Sequence, residues 1–89
     1  MTISIDYDRT YTRDIGFWDR FMVAAQLAGH SVICITNRPW LPTTELLPTC
    51  PCYAAGDQFK REYALSLGIH VDIWIDDEPG SICEPASLP

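Results

Sequence analysis

Apolar and polar positions change period several times along the chain. Ile3 to Tyr7 (ISIDY) has strand length, although Thr2 and Ser4 make one face more polar than a fully buried strand prefers. Residues 8 to 14 are polar and predict a loop. From Ile15 to Ala28 the spacing turns helical, with Phe17, Phe21, Ala24 and Ala28 on one stripe and Gly29 as a natural stop. Ser31 to Ile35 (SVICI) is a β-branched run of strand length. The stretch NRPWLPTTELLPTCPC, broken by four prolines, predicts loop with one short helical turn around Thr44 to Leu47. Cys52 to Ala55 predicts a short third strand. Asp57 is placed to cap a helix through Leu67, with Phe59, Tyr63 and Leu67 on one face and Gly68 ending it. Val71 to Ile75 (VDIWI) predicts a fourth strand. After Asp76 and Asp77 the sequence predicts an irregular tail over residues 80–89. There are no internal repeats and no low-complexity tracts.

Strand and helix alternate, so the predicted class is α/β with a mainly parallel sheet and right-handed crossovers. In such a sheet the strands end at one edge and the following helices begin there. Asp6 ends the first strand, Thr36 the second, and Asp76 with Asp77 the fourth. Lys60 falls in the first turn of the second helix, at the same edge. Polar groups from four separate stretches therefore converge.

Composition narrows what they can do. The chain has 89 residues, consistent with a single domain, and its 47% hydrophobic content with three Trp, four Tyr and three Phe suffices for one core. A net charge of −6 argues against a general nucleic-acid coat, which needs a basic surface. No apolar run resembles a signal peptide or reaches membrane-span length, so a cytoplasmic protein with no membrane partner is expected. Cys34 lies inside the apolar run SVICIT, which fits reduced thiols.

Asp6 and Asp8, in IDYDRT, admit three readings. A calcium loop beginning at Asp6 would need Gly and Glu where Tyr11 and Phe17 stand, so that reading fails. An acidic turn is the plain alternative, because Asp and Thr are ordinary turn residues. A catalytic site is the third. Clustered carboxylates repel unless a cation binds between them, and magnesium suits a few carboxylates completed by water and phosphate. A carboxylate facing a metal-bound phosphate can attack phosphorus, while a hydroxyl and an ammonium hold the equatorial oxygens. Lys60 is the only lysine in the chain, and it falls at the converging edge.

On these residues the chain resembles the haloacid dehalogenase-like superfamily, most of whose members are magnesium-dependent phosphatases. The first motif of that superfamily, strand–DxDx(T/V), is matched by IDYDRT, and the second, a strand ending in Ser or Thr, by VICIT. The third, a helix-borne lysine, is matched in DQFKREYALSLGI, and the fourth, a strand ending in paired acids, by VDIWIDDEP. The resemblance spans residues 3 to 79. It implies a three-layer, Rossmann-like domain with sheet order 3-2-1-4 and a phosphatase working through an aspartyl-phosphate. By the same resemblance Asp6 is the nucleophile and a Mg2+ ligand. Asp8 is the general acid and base, with its carbonyl on the metal, a role that requires a raised pKa. Thr36 and Lys60 bind the phosphoryl group, and of the acidic pair either Asp77 binds the metal while Asp76 orients Lys60 or a metal-bound water, or Asp76 binds the metal in the reverse order.

The chain also departs from that pattern. Arg9 stands where many members have Gly. The interval between Thr36 and Lys60 is too short for a large inserted cap domain, which implies an open site. Arg9, Tyr11, Arg38 and Trp40 flank the motifs and are candidates to grip or stack on a leaving group; nucleotide-like or nucleic-acid-end phosphates fit such a site, with a phosphoprotein or a sugar phosphate as alternatives. Tyr11 and Trp40 equally suit a plain core role. A catalytically silent binding module of the same fold is the competing class. Cys50 and Cys52, with His30 or His70, suggest a zinc site but lack paired CxxC-type spacing. Trp18 and Trp74 suit the core or a homodimer interface that covers apolar surface.

Overall fold

The computed structural model describes residues 1–84. Four strands, β1 (Thr2–Ile5), β2 (Ser31–Thr36), β3 (Cys52–Ala54) and β4 (Ile73–Ile75), form one sheet in the order β3-β2-β1-β4. Every neighbouring pair is parallel: Ile5 stands beside Cys34 and Ile75, and Cys34 beside Cys52. Two helices, α1 (Ile15–Leu27) and α2 (Lys60–Ser66), complete a small α/β fold.

The two-residue period of β2 sorts the core. Val32 and Cys34 join Ile3, Ile5 and the α1 residues Met22 and Ala25 in one buried cluster. Ile33 and Ile35, which point the other way, pack with Ala64 of α2 in a second. Trp18 and Trp74 each pack half-buried against one of these clusters. A 13-residue helix is marginal in isolation, so this burial is what makes α1 stable. Asp14 fixes its start by accepting a hydrogen bond from the Phe17 amide at 3.2 Å. Gly29 takes φ 88° just past its end, a conformation costly for residues with a Cβ.

Several elements differ from the sequence expectation. Residues 8 to 14 are not all loop, because Tyr11–Arg13 forms a 3₁₀ turn. No helical turn forms around Thr44 to Leu47. There the Leu46 carbonyl accepts the Tyr7 hydroxyl at 2.8 Å, and Glu45 pairs with Arg38. Asp57 does not cap α2: the chain closes a turn at that point, the Gln58 amide donating to the Ala55 carbonyl, and the helix starts three residues later at Lys60. The expected irregular tail contains a 3₁₀ turn, Pro79–Ser81. After it the Ile82 carbonyl accepts the Arg61 amide at 2.9 Å and Cys83 is buried. Residues 85–89 lie outside the described residues. No helix of the described residues is long and apolar enough to cross a membrane.

Candidate active site

Parallel pairing brings the C-terminal ends of β1, β2 and β4 together. The Asp6 amide donates to the Ile75 carbonyl at 2.9 Å, which seats Asp6 beside Asp76 and Asp77. Lys60, the first residue of α2, reaches the same point with its side chain almost wholly buried, at 2% exposure. Its ammonium lies 2.6 Å from Asp6 Oδ1 and 2.6 Å from Asp76 Oδ2. The Thr10 hydroxyl donates to the other Asp6 oxygen at 3.2 Å. Asp76 also accepts from the Glu78 amide at 2.9 Å and the Ser81 hydroxyl at 3.3 Å. Thr36 is buried beside this group, and its Oγ1 accepts the Arg38 amide at 3.2 Å. A cavity of about 250 Å³ opens over Asp6, Thr36, Lys60 and Asp77.

The electrostatics differ from one acid to the next. Burial pushes the Asp6 carboxyl up to about 6, with Asp77 and Asp76 adding to the effect and Lys60 opposing it. A lysine contact alone would lower it, so desolvation and the acidic neighbours win. Asp77 is held below the ordinary value by sharing a proton with Asp6 and by Arg9. Burial by itself would lower the Lys60 pKa, yet contact with Asp6 and Asp76 holds it above the usual value. One carboxylate oxygen each from Asp6, Asp76 and Asp77 lies within 4.8 Å of the others. Three carboxylates this close form an all-oxygen set that suits a hard divalent cation, whose charge would offset their repulsion.

Asp8 is placed differently. Its two oxygens take a bidentate grip from Arg38, at 2.7 and 3.0 Å, and Arg38 also holds Glu45 at 3.0 Å. The Arg38 contact lowers the Asp8 pKa, whereas the general-acid role leads one to expect a raised one. That expectation is corrected: the opposite charge at hydrogen-bond distance outweighs partial burial. The Asp8 side chain also stays out of the triad of close carboxylates.

The remaining candidates divide. Arg9 and Arg38 border the cavity. Arg9 pairs with Asp77 at 3.3 Å and Glu78 at 3.6 Å while holding φ 63°, a left-handed conformation that costs a non-glycine residue about 1 kcal/mol. Tyr11 is corrected from the leaving-group set, since it is 1% exposed, stacks on Tyr7 and donates its hydroxyl to Asp19 at 2.8 Å. Trp40 is 74% exposed and does not line the cavity. The histidines do not join Cys50 and Cys52 in a metal-ligating group among the described residues. His30 Nδ1 lies 3.0 Å from the N-terminal amine, His70 pairs with Asp72, and among the described residues only the three aspartates bring metal-ligating atoms together.

Two contributors were given no role from the sequence. Thr10 closes the motif IDYDRT, and its hydroxyl is the group that meets Asp6. Asn37 donates to the Gly56 and Gln58 carbonyls, both at 2.9 Å, and so fixes the approach to Lys60. Only its place directly after a strand-ending Thr hinted at this. No protein-family model, curated protein or solved structure matches the chain.

Proposed function

We propose that the chain is a small, capless phosphomonoesterase of the haloacid dehalogenase-like type, a three-layer Rossmann-like domain that uses Mg2+ and works in the cytoplasm. The observation that supports it most is the buried Lys60 ammonium bridging Asp6 and Asp76 at the common end of β1 and β4. A buried charge cluster is expensive to maintain, and this one lies at the floor of an open cavity. Asp6, Asp77 and the Asp8 carbonyl would hold the metal, which supplies charge neutralisation at the phosphoryl group.

In this reading an Asp6 oxygen attacks phosphorus and the ester P–O bond breaks. The departing oxygen takes a proton from Asp8. Water then attacks the aspartyl-phosphate, Asp8 removes its proton, and phosphate leaves with Asp6 restored. Lys60 and the Thr36 hydroxyl hold the equatorial oxygens. Before it can act as an acid, Asp8 must be released by Arg38, and a dianionic phosphate entering the cavity gives Arg38 a competing partner. Hydrolysis of an aryl phosphate with and without Mg2+, using Asp6→Asn as control, tests the reading. Absence of Mg2+-dependent turnover, or full activity in Asp6→Asn, would overturn it.

One observation favours the second reading, a binding module without turnover. The Asp8 carboxylate is clamped and its pKa lowered, which suits an ion pair better than a proton donor. Mg2+-dependent binding of phosphate esters without hydrolysis is the result that reading predicts.

A further inference from the structure

A second groove, of about 450 Å³, adjoins the candidate active site and shares Arg9, Asp76 and Asp77 with it. Its walls include Phe17 and Trp18 of α1 and Ile75 of β4. Phe17 and Trp18 meet edge to face, with ring centroids 4.9 Å apart. Phe17 is 49% exposed, so a broad aromatic surface faces solvent where the chain could have placed a polar residue. Arg13 and Asp14 also line the groove.

The charges there are mostly spoken for. Asp14 caps α1, Asp76 holds Lys60, and Asp77 holds Arg9. Arg13 forms no ion pair among the described residues, in a chain with only six cationic side chains against twelve acidic ones. An aromatic surface and an unpaired guanidinium beside a phosphoryl site are the means of holding a planar base and a second anion.

We propose that this groove seats the leaving group, and that the leaving group is a nucleoside carrying a second phosphate. The inference rests on the phosphatase reading for its orientation: one phosphate over Asp6, the base against Phe17, the other phosphate at Arg13. Stacking on one exposed ring is worth roughly tenfold in affinity, and an exposed Arg–phosphate contact about fivefold.

The test compares kcat/KM for a nucleoside bisphosphate, the matching nucleoside monophosphate and glycerol phosphate in the wild type, Phe17→Ala, Phe17→Tyr and Arg13→Gln. The same nucleotides are titrated onto Asp6→Asn by calorimetry with Mg2+ present. The order bisphosphate, monophosphate, glycerol phosphate is expected. Phe17→Ala should lower the nucleotide-to-glycerol-phosphate ratio about tenfold, with Phe17→Tyr restoring it, and Arg13→Gln should remove the preference for the second phosphate. A dinucleotide bearing the same phosphates shows whether a free or a chain-borne nucleotide is preferred. Ratios unchanged in Phe17→Ala and Arg13→Gln would overturn the groove while leaving the phosphatase intact. Nucleotide binding that depends on Phe17 and Arg13 without any turnover would support the groove and overturn the phosphatase reading.

Discussion

Asp6 and Asp8 stand one residue apart, yet the fold treats them as opposites. Asp6 is 8% exposed, bridged by a buried lysine, and pushed up to about 6. Asp8 is half-exposed, gripped by an arginine, and held below the ordinary value. The cause is local. Asp6 continues the ladder through its amide and the Ile75 carbonyl, which turns it into the acidic edge. Asp8 lies beyond that last bond and meets the chain leaving β2. Two identical side chains thus acquire different chemistry from one residue of offset. A protonatable group lies at the floor and an ion-paired group at the rim.

The comparison breaks most visibly at Lys60. Lys60→Met should leave two buried carboxylates uncompensated and cost about 3–5 kcal/mol of stability, read by urea denaturation. A loss below about 1 kcal/mol would mean that the acids relax to water and that the floor is not buried in solution. Asp6→Asn is gentler on the fold, because Lys60 keeps Asp76. Under the proposed phosphatase reading its turnover should fall by more than about a thousandfold, since Asp6 is the group assigned to form the phospho-enzyme.

Asp8→Asn should cost less and depend on the substrate. An alkyl phosphate needs its leaving oxygen protonated, so a loss of about 10²–10⁴-fold is expected. An aryl phosphate leaves without help and should lose far less. Equal losses on both would remove Asp8 from the acid role.

Mg2+ sharpens the same contrast through pH. Asp6 titrates at about 6 against an ordinary 3.8, so the native chain binds its proton more tightly than the unfolded chain does. That contribution to stability is fully present below pH 3.8 and is lost as pH rises through about 6. In the proposed reading a cation between Asp6 and Asp77 would replace the lost proton. The rise in Tm on adding Mg2+ should therefore be larger near pH ~7.5 than near pH ~5, and smaller in Asp77→Ala. A rise independent of pH and of Asp77 would place the metal elsewhere.

Much of the floor was legible in the sequence, because strand–helix alternation dictates which ends meet. Asp6, Thr36, Lys60 and the Asp76–Asp77 pair could be gathered from spacing alone. The sheet order β3-β2-β1-β4 agrees with the expected one. The rim was not legible. Arg38 and Asp8 are 30 residues apart, and their contact depends on the path taken by a proline-rich loop after β2. For Tyr11 the sequence left a leaving-group contact and a core role equally open, because a polar stretch surrounds it. Its burial comes from a 3₁₀ turn that no periodicity announces. Asp57 had the right residue type for a cap, but the turn at Gln58 came first.

The smallest effect should come from Arg38→Gln, and it probes the rim alone. The pair is partly solvent-exposed, at 33% and 46%, so salt and water screen it and Tm should drop by a few degrees at most. The lowered Asp8 pKa contributes stability above its ordinary range that is lost as pH falls through the folded value. Arg38→Gln should remove that dependence, narrowing the Tm difference from wild type at strongly acidic pH. Kinetically two effects separate. With its clamp gone, Asp8 rises toward the ordinary carboxylate range and keeps its proton to higher pH, which extends activity on alkyl phosphates upward in pH. With a phosphate contact gone, KM should rise severalfold. A raised KM together with a moved pH limb identifies Arg38 as the group that exchanges Asp8 for the substrate. A moved limb with unchanged KM reduces it to a restraint on Asp8. An unchanged profile would mean that the Arg38–Asp8 grip has no part in turnover.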